Sequence, residues 1–545
     1  MEHFNYYVVV DHPDYKQDVH SELTATTGEF PVPDRAVNCA DAMPWSEYNG
    51  IFNLTQEEAA MLMSDLRVRD VHLLPEENPD VIVRHHGQRY GTYDRSQTLY
   101  SANSKNYSLI RSINPTNNYG ATTVTNKAYS FNLDGTGVDV IIMDTGVEQY
   151  HPEFAVNEDG TGGTRVVDYD WTQHGIITSV PTGGFLGDCD GHGTSVASLV
   201  AGNTCGWASG ARIYTLRIIS DGTAGPYRNI RNGQTLTLVN ETQAWGSIRA
   251  FHNAKAVDPS TGYKRPTIVN CSYGYLGQYR GDIYGHRYRG VNYNVGTLST
   301  TSGVFGTIGV NVDPFYGGYY PSQVSAINSE IVSTINAGVH VVAAAGNELH
   351  KIDVPGGVDY DNYWVWGTAG GGTGVYYHRG GTPAAATGVI SVGCISATTD
   401  AGGVEHKKNF SNGGPGVHIW AHGDFVTSAW SSSTVSGNFA KADPRSSITS
   451  STSVFYLQKI SGTSQAAPQV AGVGALTLQL RPWMTPAQLK KWTTSTAVTW
   501  TNDADFYYNI GGGGNGTYTN WGSLMGSASI QLYMPYNSSS TAIIS

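Results

Sequence analysis

Short apolar runs alternate with helically spaced apolar positions from about residue 106 to residue 500. Val138–Met143 is a continuous apolar run between Gly137 and Asp144, which predicts a buried strand. The other predicted strands are Ile213–Ile219, Thr267–Cys271, Val339–Ala345, Val389–Ile395 and Val417–Ala421. Strands and helices in alternation are typical of an α/β fold with a mostly parallel sheet.

Three segments of this region have the pattern of helices. Trp245, Ile248 and Phe251 predict one helix, and the run from Ala466 to Leu480 is apolar almost all round, as in a buried helix. Another helix is predicted to end at Gly338, the residue type preferred just past a helix C-terminus. Its helically spaced residues are Val324, Ile327, Ile331 and Ile335.

Residues 1–77 have the pattern of a small α+β unit. Tyr6–Val10 predicts a strand, and Thr55 with Glu58 forms a capping-box signature at the start of a helix. The apolar stripe of that helix is Ala59, Leu62, Met63 and Leu66. A second strand is predicted around Val71–Leu74.

Three other segments lack clear periodicity. Residues 78–105 are interpreted as an exposed linker that contains a site of proteolysis, and residues 275–320 as a Tyr- and Gly-rich insertion. Residues 501–545 are rich in Gly, Asn, Ser and Tyr and are interpreted as a β or loop extension. The main domain is therefore predicted to span residues 106–500.

Composition excludes several classes of protein. The 545 residues contain 32 Lys+Arg and 44 Asp+Glu, a net charge of −12, which argues against a nucleic-acid-binding protein. No segment has the length and apolarity of a membrane span, and the N-terminus has no basic region typical of a Sec signal peptide. The five cysteines show no CxxC spacing, so neither a zinc site nor a dithiol redox site is indicated.

Four short stretches place reactive side chains at strand ends or helix starts. Asp144 follows the strand Val138–Met143, and His192 lies between two glycines before an apolar helix. Asn347 follows the strand Val339–Ala345, and Ser464 precedes the buried helix. Pro468 is placed in the first turn of that helix, where a missing N–H is tolerated. Taken singly, each residue also fits a turn or a helix cap.

Together the four residues supply the chemical groups that a catalytic serine requires, which none of them does alone. A serine hydroxyl is a weak nucleophile and needs a base, which histidine supplies near neutral pH. A carboxylate orients the imidazole, and an amide N–H stabilises the oxyanion that forms. Helix N-termini, such as the one at Ser464, also favour developing negative charge.

These stretches resemble the signature motifs of the subtilisin-like serine proteases (subtilases). The chain order Asp144, His192, Ser464 is the order of that family. The resemblance implies a serine endopeptidase with an acyl-enzyme intermediate, in which Asp144 orients His192, His192 is the base and Ser464 is the nucleophile. It also implies an oxyanion hole formed by Asn347 and the backbone N–H of Ser464.

The resemblance further implies a fold and a substrate-binding region. The expected fold is a three-layer α/β/α arrangement around a mostly parallel sheet. The residues expected to bind substrate are Ser272, Tyr273, Gly274, Ala344, Ala345 and Gly346. The sequence departs from the family pattern at Ser195, at Ser198, at Gln465 and at Ala421-His422-Gly423.

Residues 1–77 are similar to the inhibitory propeptides of this family, which are ferredoxin-like and assist folding of the catalytic domain. The chain is therefore expected to be made as a zymogen, with polypeptides and its own propeptide as partners and no nucleic acid or membrane. A tethered unit inhibits efficiently because its effective concentration is high. An accessory domain that is never cleaved is the alternative reading of residues 1–77.

A catalytically idle, structural or particle-associated protein on a subtilase scaffold is the alternative function. No cofactor is required by the expected reaction. Structural calcium, common in subtilases, has two candidate clusters, Asp188 with Asp190 and Asn502 with Asp503 and Asp505, and both are interpreted as turns rather than as metal ligands. Localisation stays open between an extracellular and a particle-associated role.

Overall fold

A computed structural model describes most of the chain. The described residues are 3–25, 35–74, 81–85, 109, 133–157, 162–219, 237–259, 261–278, 283–294, 319–366, 374–399, 405–431, 439–442, 454–496, 498–499 and 530–531. The expected extension 501–545 lies outside these ranges except for residues 530–531, as do the calcium candidates Asn502, Asp503 and Asp505.

Helices of the described residues are numbered in chain order. They are α1 (Lys16–Thr24), α2 (Gln56–Leu62), α3 (His192–Ala201), α4 (Glu241–Ala254), α5 (Ser325–Asn336), α6 (Thr463–Leu480) and α7 (Pro486–Thr496). Short 3-10 helices cover Pro13–Tyr15, Pro152–Phe154 and Trp171–His174. Among the described helices, none has both the length and the apolarity that a bilayer crossing requires.

Strands of the described residues are numbered in the same way. The first twelve are β1 (Phe4–Val10), β2 (Asn38–Asp41), β3 (Asn49–Leu54), β4 (Val68–Leu73), β5 (Val81–His85), β6 (Asp139–Asp144), β7 (Arg212–Arg217), β8 (Thr267–Cys271), β9 (Tyr273–Gln278), β10 (Ile283–Tyr288), β11 (Val291–Asn294) and β12 (Tyr319–Pro321). The others are β13 (His340–Ala344), β14 (Tyr363–Trp366), β15 (Gly374–Tyr376), β16 (Ile390–Thr399), β17 (Glu405–Lys407), β18 (Ile419–His422), β19 (Val426–Trp430), β20 (Phe439–Ala442), β21 (Val454–Ile460), β22 (Val498–Thr499) and β23 (Ile530–Gln531).

The N-terminal residues form a ferredoxin-like unit, as expected. Its strands lie in the order β2-β3-β1-β4 in an antiparallel sheet, and α1 and α2 connect them in a βαββαβ sequence. The predicted capping box is present, since Thr55 Oγ1 accepts from the Glu58 N–H at 3.2 Å and Glu58 Oε2 accepts from the Thr55 N–H at 2.8 Å. One face of this sheet buries a small apolar core with α1 and α2.

A larger sheet forms the centre of the remaining chain. Its strand order is β22-β23-β18-β16-β13-β8-β6-β7, with β17 paired to β16, and the pairs from β7 to β23 along this path are parallel. In register, Met143 of β6 and Ala343 of β13 both lie opposite Cys271 of β8. The carboxyl ends of β6, β8 and β13 are therefore at one edge.

Alternation along the central strands divides the interior into two cores. In β6, Val140 and Ile142 face one core, which α3, α6 and α7 complete, while Ile141 and Met143 face the other. The second core is completed by α4 and α5. Successive side chains of a strand point to opposite faces, so continuous apolar runs indicate burial on both. This three-layer α/β/α arrangement is the predicted fold.

Several predicted boundaries and segments differ from the structure. Helix α6 begins at Thr463 rather than Ala466, so Pro468 lies beyond the first turn, inside the helix. The predicted linker contains the strand β5, and the predicted insertion 275–320 contains β10, β11 and most of β9 and β12. Tertiary pairing explains both differences: β5 and β12 flank β9, while β10 pairs with β14.

Two buried histidines, the first residue of β13 and a residue that follows this strand, make stability depend on pH. Burial lowers the pKa of His340 to about 3 and that of His350 to about 4. A folded-state pKa below the unfolded value of 6.5 means that the unfolded chain binds protons first, so stability is lost as the pH falls below 6.5.

We expect the free energy of unfolding to fall between pH 6.5 and about pH 4, by roughly 1.4 kcal/mol per pH unit for each of these histidines. Urea unfolding of the Ser464→Ala protein at several pH values measures this slope. His340→Gln should reduce the slope by about 1.4 kcal/mol per pH unit, the contribution of one proton. An equal slope with and without this substitution would contradict the assignment.

Candidate active site

Strand β6 ends in a fully buried carboxylate, Asp144. Asp144 Oδ1 accepts from the Thr145 N–H at 2.8 Å and lies 2.8 Å from His192 Nδ1. Because an ionised carboxylate only accepts hydrogen bonds, the His192 proton is on Nδ1. The basic nitrogen of the neutral ring is then Nε2, on the side away from Asp144.

Two glycines flank His192 and allow this contact. Gly191 precedes helix α3 with φ +110°, and a Cβ there would lie 2.3 Å from the Trp430 indole. A Cβ at Gly193 would lie 1.9 Å from the Gly146 carbonyl oxygen. Glycine is required at both positions because α3 approaches the end of β6 and the Trp430 ring so closely.

Asp188 holds the first turn of α3. Its Oδ1 accepts from the N–H groups of Asp190 and Gly191 and from Thr145 Oγ1, at 2.8–3.0 Å. Its Oδ2 accepts from the Thr194 N–H at 3.0 Å and from Thr194 Oγ1. Burial raises the pKa of this carboxyl, although all five donors favour the ionised form. In the Asp188–Asp190 turn, the Asp188 carboxylate therefore binds N–H and hydroxyl groups of the chain itself.

Ser464 is joined to the end of β8. Ser464 Oγ donates to the Ser272 carbonyl oxygen at 2.8 Å, and Ser272 Oγ donates to the Ser464 carbonyl oxygen at 2.9 Å. Asn270 Nδ2 donates to Ser272 Oγ at 2.9 Å. Because Ser272 follows Cys271, which pairs with Met143, Ser464 lies at the same sheet edge as Asp144.

Pro468 explains why the Ser464 carbonyl accepts a side-chain hydroxyl. In an α-helix the N–H of residue 468 would donate to the carbonyl of residue 464, but proline has no N–H. The carbonyl is thus left for Ser272 Oγ, which fixes the start of α6 against β8. Pro468 therefore removes one hydrogen bond from the helix, and the Ser464 carbonyl bonds to Ser272 instead.

Asn347 lies just after β13 and contacts the residue before Ser464. Its Oδ1 accepts from the Thr463 N–H at 3.0 Å and from Thr463 Oγ1 at 2.9 Å. Thr463 Oγ1 also accepts from the Gly346 N–H at 3.2 Å. With Oδ1 occupied, the Asn347 amide presents its N–H groups away from Thr463. Among the described residues, none accepts a hydrogen bond from Asn347 Nδ2.

The remaining predicted site residues fall into two segments at this edge. Tyr273 and Gly274 begin β9, where their backbones pair with His85 and Arg84 of β5. The Tyr273 ring is buried, and its hydroxyl donates to Glu241 Oε1 at 2.5 Å. Ala344, Ala345 and Gly346 connect β13 to Asn347, and Gly346 has φ +103°.

Two residues that depart from the family pattern form hydrogen bonds with the neighbouring strand β19. Ser195 Oγ lies 2.7 Å from Ser428 Oγ, and Ser198 Oγ accepts from the Ala429 N–H at 3.0 Å. Both serines are buried on α3. Their hydroxyls thus attach the histidine helix to β19 without contacting Asp144.

Sequence reasoning missed three supporting residues. Thr463 orients Asn347, Glu241 binds the tyrosines of β9, and Asp188 was considered only as a calcium ligand or a turn residue. The aspartate four residues before His192 was the available signal for Asp188, since carboxylates favour helix N-termini. In the described ranges no cluster of three or more His, Cys, Asp or Glu side chains has the arrangement of a metal site.

Comparison with known proteins identifies the family of the chain. The sequence profile of the Subtilase family matches residues 135–516. An extracellular serine proteinase of Thermus sp. (strain Rt41A) is 25% identical over 361 residues, covering 66% of this chain and 55% of that protein. Alkaline serine exoprotease A of Vibrio alginolyticus is 25% identical over 371 residues, covering 68% of this chain and 44% of that protein.

The chain therefore belongs to the subtilase family, as the sequence motifs predicted. It spans about half the length of the curated relatives it matches. Among solved structures, a cold-adapted subtilisin-like serine proteinase aligns over 78% of this chain and 97% of its own, with 21% identity and a TM-score of 0.43.

We expect Asp188→Ala to destabilise the protein strongly, because three backbone N–H groups and two threonine hydroxyls lose their buried acceptor. The free energy of unfolding should fall by about 3 kcal/mol or more, measured by urea unfolding. Asp170→Ala is the matched control, since Asp170 caps the 3-10 helix Trp171–His174 from an exposed position. Equal losses in the two variants would contradict the role given to Asp188.

Proposed function

We propose that the protein is a serine endopeptidase that uses Asp144, His192 and Ser464. The observation that carries the proposal is the 2.8 Å hydrogen bond between buried Asp144 and His192 at the sheet edge that also holds Ser464. An oriented imidazole at the same sheet edge as a serine at a helix N-terminus has the groups required for acyl transfer. Family membership supports the same reaction.

In the proposed reaction Ser464 Oγ turns from the Ser272 carbonyl toward the substrate and attacks the peptide carbonyl carbon. Its proton passes to His192 Nε2, while Asp144 stabilises the imidazolium. The oxyanion accepts hydrogen bonds from Asn347 Nδ2 and the Ser464 N–H. His192 then protonates the leaving amine as the C–N bond breaks, and water hydrolyses the acyl-enzyme by the same steps in reverse. No cofactor takes part in these steps.

Substrate binding is assigned to the backbone of β9 and to the segment Ala344–Gly346. The pairing of β5 with β9 supports this assignment, because an extended segment already adds to that strand in antiparallel register. The C-terminal residue of β5, His85, lies opposite Tyr273, next to Ser272 and therefore close to Ser464. The chain thus binds its own segment where an extended peptide substrate would lie.

We extend the proposal to a zymogen in which residues 1–77 are an inhibitory propeptide and residues 78–105 contain the processing site. Residues 106–500 are then the catalytic domain, and 501–545 are an extension. Contacts of the N-terminal unit with α4 and α5 support this division. Asn49 Nδ2 donates to the Ala326 carbonyl and to Glu330 Oε1, both at 3.0 Å. An extracellular role fits the similarity to the extracellular serine proteinase of Thermus sp..

The buried polar centre of this contact is Glu330. Arg249 Nη1 donates to Glu330 Oε2 at 3.0 Å, and Arg249 Nη2 donates to the Trp45 carbonyl. The Ser46 hydroxyl also donates to Glu330. A Cβ at Gly246 would lie 2.5 Å from the Trp45 ring. The N-terminal unit therefore packs directly on α4 and supplies partners to a carboxylate of α5.

Ser464→Ala should abolish peptide hydrolysis and self-processing while the fold is retained. The loss in kcat is about 10⁶-fold where a subtilisin nucleophile has been removed. Labelling with a fluorophosphonate after release of the N-terminal unit, followed by peptide mapping, checks the assignment. Ser195→Ala is the control and should keep its label, because Ser195 contacts Ser428 of β19.

Two results distinguish the alternative function. Absence of labelling in the processed wild-type protein would support a catalytically idle scaffold. Unchanged hydrolysis by Ser464→Ala would refute the nucleophile and leave the family assignment standing.

Asn49→Ala should weaken inhibition by the N-terminal unit, because it removes two interfacial hydrogen bonds, one of them to the buried Glu330. Peptidase activity of the full-length chain before processing should rise by about 10- to 100-fold. Asn38→Ala, an exposed position on β2, is the matched control and should leave that activity unchanged. Equal activities in the two variants would contradict inhibition through this contact.

A further inference from the structure

A groove of about 540 Å³ lies between the N-terminal unit and the main domain, away from Ser464. Among its lining residues are Arg69, Ser325, Asp353, Arg379, His418 and Lys490. Lys490 belongs to α7 and is half-buried, as is His418, which lies just before β18. Neither residue takes part in the proposed peptidase reaction.

The hydrogen bonds of His418 define its tautomer. The Ser391 N–H donates to His418 Nδ1 at 3.0 Å. Since a backbone N–H can only donate, Nδ1 carries a lone pair, and the proton of the neutral ring is on Nε2. His418 therefore presents an N–H group on its other side.

That N–H group faces the amine of Lys490. Lys490 Nζ lies 2.9 Å from His418 Nε2 and donates to the Val389 carbonyl at 2.9 Å. An ammonium has three N–H donors and no lone pair, so it cannot accept the His418 proton. The two contacts are compatible when Lys490 is an uncharged amine that accepts from His418 and donates to Val389.

The surroundings of Lys490 disfavour its charged form. Among the described residues, no carboxylate lies within ion-pair distance of Lys490 Nζ. The acid of the groove, Asp353, lies within 3.7 Å of Lys351, and the arginine Arg379 binds Asp361. Burial lowers the pKa of Lys490 to about 8 and that of His418 to about 4.

We propose that Lys490 is a nucleophilic amine and that this groove is a covalent modification site for small aldehydes. The Nζ lone pair attacks the aldehyde carbon and forms the N–C bond, while His418 Nε2–H, no longer bound to Nζ, donates to the carbonyl oxygen. The two amine protons and the oxygen leave as water, and the product is an imine. Arg69, which also lines the groove, favours aldehydes that carry an anionic group.

The test is reductive labelling of the full-length Ser464→Ala chain with glyoxylate and cyanoborohydride at pH 7, read by peptide mass spectrometry. Lys491, the exposed neighbour on the same helix, is the internal control. An amine with a pKa of about 8 is roughly one-tenth uncharged at pH 7, against less than about 0.1% for an ordinary lysine. Lys490 should therefore be labelled at least tenfold faster than Lys491.

Two further measurements separate nucleophilicity from simple accessibility. The Lys490 labelling rate should level off above about pH 8, whereas the labelling of an ordinary lysine amine rises until about pH 10. His418→Glu places a carboxylate beside Nζ and should slow labelling at pH 7 by about tenfold, with unfolding followed to confirm the fold. The proposal would be overturned if Lys490 were labelled no faster than Lys491. It would also be overturned if the Lys490 labelling rate kept rising until about pH 10, as for an ordinary lysine.

Discussion

The candidate site depends on one hydrogen bond, between the carboxylate that ends β6 and the imidazole that begins α3. Asp144 is fully buried, and its contact with His192 orients the ring. Parallel strands make this contact effective, because they deliver Asp144, Ser272 and Asn347 to one edge of the central sheet. The site is therefore a consequence of strand register as much as of the reactive residues.

Supporting contacts hold each reactive group through the backbone around it. Asp188 fixes the first turn of α3, and Thr463 holds the Asn347 amide. The Ser464 carbonyl, left without a helical donor by Pro468, binds Ser272 instead. Asp188 and Thr463 lie within four residues of His192 and Ser464, so a shift at the start of either helix changes the geometry of the site.

The N-terminal unit and the strand β9 both contact the helix α4. Tyr273 and Tyr275 of β9 both donate to Glu241, the first residue of α4, and α4 also carries the Trp45 contact. One helix thus contacts the proposed propeptide on its outer side and supports the proposed substrate strand at its N-terminus. The proposed docking of the N-terminal unit and the proposed substrate binding therefore both involve α4.

Much of the fold and site could be predicted from local pattern. Buried parallel strands are visible as apolar runs, and the ends of those runs identify Asp144 and Asn347. The strand β5 could not be found in this way, because it exists through pairing with β9, which is remote in sequence. The same holds for Asp188 and Thr463, whose roles follow from hydrogen bonds that only the folded chain brings together.

A crystal structure of the processed protein, phosphonylated by a fluorophosphonate, tests the convergence of these groups most directly. We expect the phosphorus on Ser464 Oγ, with one phosphoryl oxygen bound by Asn347 Nδ2 and the Ser464 N–H, and with His192 still bonded to Asp144. A modified Ser464 whose phosphoryl oxygen points away from Asn347, or a His192 ring separated from Asp144, would contradict the account.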